Sequence, residues 1–454
     1  MNLQHLNPHR LLPALALVAI LSPMAGAQSY SMFPRDALPM IQRSVLPADT
    51  DGRMGDIGYD PVSECMYFAA HSANVLHILD PKGMETIQSV KDLNEPNGIA
   101  INKDLRRLYL TCGDGTVHFF QIEPAKGPVP VPGTPPPPGF EPAGKLTELK
   151  SFNVPGEADA IRFDPKMNRV YVAHGKFVSW IGADAAGGAA APAAAPAAAA
   201  PAANAADDWW TKIGADAAEL HRLVQEKASP DMIRKAVANL SQHAGAEPAK
   251  SAAPAAAATP PAAGGEQKFT RLEMPGAPKG IAVSPDGTRL YVNVPSQSKI
   301  VVIDTEKWVI NSTWDLKNAG GNYPLSTDET GRLLFVGCRQ PSVVLILDAN
   351  SGAEQGRYPI ENDDATDLWW DAKGRRIYVS AGNGNGMVSM IREEAGKWST
   401  EHNIPTAPGA RTSILIPEKG RFIVTAPKLT YPPFVFIYLI PGPNEHHNYV
   451  PAEH

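Results

Sequence analysis

From about residue 40 onward, the chain repeats one pattern of apolar and polar positions. In PKGIAVSPDGTRLYVNVPSQSKIVVID (278–304) a short apolar run meets a polar turn, and a basic residue introduces an RLYV-like run. A second loop then leads to a third apolar run that ends in an acid. GDIGYDPVSECMYFAAHSANVLHILD and ATDLWWDAKGRRIYVSAGNGNGMVSMI are further copies. Short β-rich runs bounded by Gly, Pro, Asn and Asp predict strands rather than helices. The equivalent bulky positions are Tyr67, Tyr109, Tyr171, Tyr291, Phe335, Tyr378 and Ile423, with successive gaps of 42, 62, 120, 44, 43 and 45 residues. Four of these gaps match the period of about 40–50 residues of a four-stranded propeller blade. The two long gaps hold foreign segments, so the count is seven blades.

The last repeat supplies only three strands. Ahead of the first, PMIQRSVLPAD has the outer-strand pattern of METIQSVKDL and KWVINSTWDL. Residues 40–46 are therefore expected to complete the seventh blade and to remove an open sheet edge. The expectation is an all-β chain: a seven-bladed propeller over 28–183 and 267–454, closed by an N-terminal strand. An open sandwich of the same strands would not produce so regular a spacing.

Two segments break the pattern. Around 125–145, GPVPVPGTPPPPGFEPAG predicts an extended, proline-rich surface loop. The second runs from about 183 to 266, and its Ala/Pro-rich arms lack the bulky side chains of a core. Between the arms, residues 207–243 show helical spacing: Leu220 and Val224 share one face, as do Ile233, Val237 and Leu240. Ser229-Pro230 reads as a cap and first turn. A short helical hairpin is expected, with Trp209 and Trp210 packing within it or against a partner.

The N-terminus places His9 and Arg10 before an apolar run from Leu11 to Leu21, followed by Ala25-Gly26-Ala27. This is the pattern of a secretory signal peptide over 1–27, and it implies a periplasmic or secreted bacterial protein. No later segment is long and apolar enough to span a membrane. The net charge of -6 gives no support to a nucleic-acid surface. Arg106-Arg107 and Arg375-Arg376, which precede the strands, read more simply as recurring turn or blade contacts. Cys65, Cys112 and Cys338 are too few and too dispersed for a disulfide framework, and no CxxC or CxxCH occurs.

LYVNVPSQSKIVVID (290–304) resembles the signature of the YVTN/YncE-like family of secreted bacterial β-propellers. RIYVSAGNGNGMVSM, RLYLTCGDGTVHFF and RVYVAHGKFVSWI are weaker versions of it. The resemblance covers about 40–183 and 267–440 and implies the propeller fold. Some relatives are linked to DNA binding, extracellular interaction or cell-surface roles. A more distant similarity is to lactonase-like propellers, which are hydrolases.

In a propeller the inner strand of each blade lines a central channel. Alignment of the repeats puts Gly55, Asn97, Asp159, Lys279, Tyr323, Thr366 and Arg411 in one column at the entrance to that strand. Asp56, Glu157, Asn322, Asp364 and Asp367 are close neighbours. The blade template does not require this mixture of acids, amides, cations and a tyrosine. Asn97, Glu157, Asp159, Lys279, Asn322, Tyr323, Asp364, Asp367 and Arg411 are the candidate rim residues, with Lys279 and Arg411 suited to an anionic group. The plainer reading is that these polar groups are solvated or paired with one another. Of Trp369 and Trp370, which point to opposite faces of a strand, one ring is expected between blades.

Two functions follow. One is a binding module for a small polar molecule or an extracellular protein, without a cofactor. The other is a metal-dependent lactonase or related hydrolase, with Ca or another divalent ion among Asn97, Glu157, Asp159, Asn322 and Asp367. Lys279 and Arg411 would oppose such an ion. His71, His77, His118 and His174 lack metal-ligand spacing and read as loop or blade-packing residues. No GxSxG, HExxH, Walker or Rossmann motif is present.

Overall fold

The computed structural model describes residues 38–50, 52–80, 84–128, 136–187, 270–429 and 432–442. The expected signal peptide, the helical hairpin and residues 129–135 of the first insert lie outside them. Seven four-stranded antiparallel sheets succeed one another around a ring. Blades 1 to 6 span 57–90, 96–153, 158–273, 281–315, 325–359 and 365–405. Blade 7 combines Thr412–Ile416, Arg421–Ala426 and Phe434–Leu439 with the N-terminal strand Met40–Val45. That strand pairs antiparallel with Phe434–Leu439, from Met40 opposite Tyr438 to Val45 opposite Phe434. The ring closes as the repeat count requires.

The recurrent bulky residue sits on the second strand of every blade. All seven are buried, and hydrophobic clusters run from each blade into the next. The tyrosine is explained by its hydroxyl. Tyr67 donates to the Gly144 carbonyl at 3.1 Å, Tyr109 to Ala183 at 3.0 Å and Tyr291 to Ala349 at 2.9 Å. In each case the acceptor lies between the third and outer strands of the following blade. A flat ring fills the space between blades while its polar tip ties them together. Tyr171 instead stacks on Trp308 of the next blade, with centroids 5.7 Å apart, and donates to Asp164 of its own.

The basic residue before the second strand does parallel work. Arg107 donates to the Ala183 carbonyl at 2.7 Å, Arg169 to Thr305 at 2.5 Å and Arg289 to Ala349 at 3.2 Å. Arg106 pairs with Asp60 at 2.7 Å, and Arg376 with Glu401 at 2.8 Å. Apart from the Arg376–Glu401 pair, which lies within blade 6, these contacts join neighbouring blades, and the cations do not form an open basic patch.

Strand direction alternates within each blade, so the turns fall on two faces. One face carries the loops that enter the inner strands. The other carries the turns between third and outer strands, where both inserts leave the ring from blades 2 and 3. Within the first insert, Lys126 and Glu141 exchange backbone hydrogen bonds at 3.0 and 2.9 Å.

Candidate functional site

The inner strands surround a cavity of about 600 Å³ that opens on the loop face. All seven residues of the aligned column, one per blade from Gly55 to Arg411, line it. Backbone geometry supports the alignment: the amides of Gly55, Lys279 and Tyr323 donate to Ala69, Asn293 and Gly337 on their second strands. Inner strands also approach closely here. A Cβ at Gly98 would lie 2.5 Å from the Asp159 carbonyl, and one at Gly280 would lie 2.1 Å from that of Tyr323. Only glycine allows such contact between backbones.

The rim divides into two unlike halves. Across blades 2 to 4, Asn97 Nδ2 donates to Asp159 Oδ1 at 2.5 Å, and Lys279 Nζ donates to Asp159 Oδ2 at 2.5 Å. The Asp159 side chain is 9% exposed. Lys279 is therefore neutralised by a partner that supplies one full negative charge.

Across blades 5 to 7, Asp364 lies between two guanidiniums. Its Oδ1 is 3.3 Å from Arg339 Nη2, and its Oδ2 is 3.0 Å from Arg411 Nη1. The Asp364 side chain is 10% exposed, whereas those of Arg339 and Arg411 are 29% and 39% exposed. The carboxylate is buried behind the arginines, which line the cavity. Arg339 is further fixed by a 2.9 Å bond from Nε to the Ala365 carbonyl and by stacking over Tyr323, 4.3 Å from the ring centroid. One acid serves two cations, so this half keeps a net positive charge.

Deeper in the channel, Asp367 Oδ2 accepts the Ser413 amide at 2.6 Å, and Asp56 Oδ2 accepts the Ile99 amide at 3.3 Å. Burial lifts the Asp367 carboxyl to about 8, helped by repulsion from Asp56. Burial also raises Asp56, against the pull of Arg162. Trp369 lines the channel and donates to Ser413 Oγ at 3.2 Å, while Trp370 packs on Phe335 and Trp398 between blades 5 and 6. The pair divides as the strand alternation predicts.

The structure removes three expected residues from the channel wall. Glu157 is exposed on the loop before the inner strand of blade 3 and does not line the cavity. Asn322 is fully buried and donates to Asn293 Oδ1 at 2.7 Å and to the Lys299 carbonyl at 2.9 Å, so it secures the seam between blades 4 and 5. Asp364 lies behind the wall rather than in it. Asn97, Asp159, Lys279, Tyr323, Asp367 and Arg411 do converge on the cavity. The five oxygen donors considered for a divalent ion therefore do not meet. Among the described residues no three His, Cys, Asp or Glu side chains gather in metal-binding proximity. The four histidines sit in separate local contacts, such as His174 with Pro155 and Ser179, and His118 with Glu148.

Arg53, Arg162 and Arg339 also line the cavity, and the column did not contain them. Arg53 precedes it, Arg162 lies three residues deeper, and Arg339 ends a second strand. Strand periodicity alone would not have reached Arg162, because it lies an odd step past Asp159 and follows a register shift between Ala158 and Ile161.

No family model matches the sequence, and no curated protein matches it. Among solved structures, a chain of a mitotic checkpoint complex aligns with a TM-score of 0.57 and 9% identity, covering 95% of this chain and 99% of the other. The Cps50 (Swd1) β-propeller domain of Myceliophteria thermophila aligns with a TM-score of 0.54 and 9% identity, covering 89% and 100%. The likeness is one of fold. It leaves the channel chemistry of this chain to be read from its own residues.

Proposed function

We propose that the chain is an exported, YVTN/YncE-like propeller that works as a binding module, and that its channel mouth takes a small ligand bearing an anionic group. The observation that carries this reading is the arginine pair held by Asp364. Arg339 and Arg411 come from different blades, face one cavity, and share a single buried counter-charge. Guanidiniums paired in this way suit carboxylates and phosphates, and Arg339, which also bonds the Ala365 carbonyl and stacks on Tyr323, is ordered before a ligand arrives. A cavity of about 600 Å³ suits a small molecule rather than a bare ion. The chain total of -6 makes this local cationic surface a specific feature and not a general one. Lys279 has a smaller role, because Asp159 already occupies it.

The test is calorimetric titration with inorganic phosphate and with hexanoate, on the intact chain and on folded Arg339→Gln, Arg411→Gln and Lys279→Met variants. Each arginine variant should weaken anion binding by about tenfold, and the lysine variant by less than about threefold. Binding that survives both arginine changes but disappears with Lys279 would overturn the assignment.

A further inference from the structure

The rim pair leaves Arg162 unexplained. It lies three residues beyond Asp159 on the inner strand of blade 3, lines the same cavity, and is 39% exposed. At about 3.3 Å of rise per residue its backbone stands roughly 10 Å below the rim column, and its side chain turns back toward Asp56, one residue past that column. Its Nη1 donates to the Ile161 carbonyl at 2.7 Å and stands 3.7 Å from Asp56 Oδ2, too far for a direct hydrogen bond. A guanidinium that lines a channel ordinarily has a close counter-ion. Here Asp56 and Asp367 are the nearby acids, and burial raises both carboxyls, that of Asp367 to about 8. The groups acting on Asp56 are Arg162, Asp159 and Arg53, and those on Asp367 are Asp56 and Arg162. This level therefore offers a cavity-lining guanidinium that makes no direct hydrogen bond to a carboxylate, beside two carboxyls that burial raises. That is a donor set for a second anion.

The chemistry favours a carboxylate at the deep end. A phosphate dianion would bring two negative charges to a level that offers a single guanidinium. A carboxylate can share a proton with them while accepting from Arg162. Trp369, Phe163 and Val283 line the wall and suit a methylene chain.

We propose that the channel binds a linear α,ω-dicarboxylate lengthwise, one carboxylate on Arg339 and Arg411 and the other on Arg162. The proposal rests on the anion-binding reading of the rim and specifies its ligand class. Proton sharing at the deep end also implies tighter binding at lower pH.

The experiment compares adipate and suberate with hexanoate by calorimetry, at about pH 6 and about pH 8. It uses the intact chain, Arg162→Gln and Arg162→Lys, with folding checked by thermal unfolding. A dicarboxylate should bind about tenfold more tightly than hexanoate, and the preference should widen toward pH 6. Arg162→Gln should bring the dicarboxylate-to-hexanoate ratio close to unity. Should that variant fail to fold, Arg162→Lys should instead shift the best chain length, because the lysine head is reached differently. Equal binding of all three acids, or a preference untouched by both Arg162 variants, would overturn the proposal. The rim reading would then still stand if hexanoate binding depends on Arg339 and Arg411. No binding of any anion would remove both.

Discussion

Lys279 Nζ lies 2.5 Å from Asp159 Oδ2, joining inner strands of blades 3 and 4 across 120 residues of sequence. The pair is a structural link, because Asp159 is nearly buried and Lys279 is its only cationic hydrogen-bond partner among the described contacts. Lys279→Met should cost about 1–3 kcal/mol by leaving a carboxylate without its cation. Adding Asp159→Asn should recover much of that loss. Urea unfolding of the two single variants and the double variant measures the coupling. Losses that simply add would show that the two side chains act independently.

The repeated tyrosine gives a second prediction with an internal control. Tyr109→Phe and Tyr291→Phe each remove a bond to the next blade and should cost about 1 kcal/mol. Tyr378 occupies the equivalent position, but its buried hydroxyl has no hydrogen-bond partner among the described residues. Tyr378→Phe should be neutral or slightly stabilising. Shifts in unfolding midpoint for the three variants decide the matter, and equal losses at all three sites would refute the bonding explanation.

Asp367 predicts a pH dependence of stability. Burial and the nearby Asp56 raise its carboxyl to about 8 from an ordinary 3.8. The folded protein thus retains a proton that the unfolded chain releases. The stabilisation from this group is complete below the ordinary carboxylate value and is lost as pH rises through about 8. Asp367→Asn cannot lose that proton and keeps an acceptor for the Ser413 amide. Its advantage over the parent should grow from near zero at about pH 4 to the order of 1–2 kcal/mol near pH 8, allowing for water in the channel. Thermal unfolding across that range tests the sign. A constant difference would mean that Asp367 does not titrate in this window.

Much of the architecture is legible in the sequence because it repeats. Seven copies of the same strand pattern report the blade count, the closing strand and the rim column without any knowledge of contacts. The column locates Asn97, Asp159, Lys279, Tyr323 and Arg411 because equivalent positions in a propeller face one axis. It does not reveal which charges cancel. Lys279 and Arg411 are alike in sequence, yet one is matched to Asp159 and the other shares Asp364 with Arg339. Arg339 comes from a different strand, so no alignment of the inner strands includes it. Glu157 and Asn322 sit beside column residues in the chain, but one falls on a loop and the other in a seam. Asn322 is a single-residue step from Tyr323 and so faces the other way, while Glu157 lies before the strand begins and follows no strand alternation.

The strand that closes the ring also has a mechanical meaning. Met40–Val45 and Phe434–Leu439 run antiparallel, with Met40 opposite Tyr438 at the end where both strands join the rest of the described chain at its extremities. Tension applied at those extremities would pull on one pair of residues at a time, from Met40–Tyr438 toward Val45–Phe434. The ring would open like a zipper rather than resist as a sheared sheet.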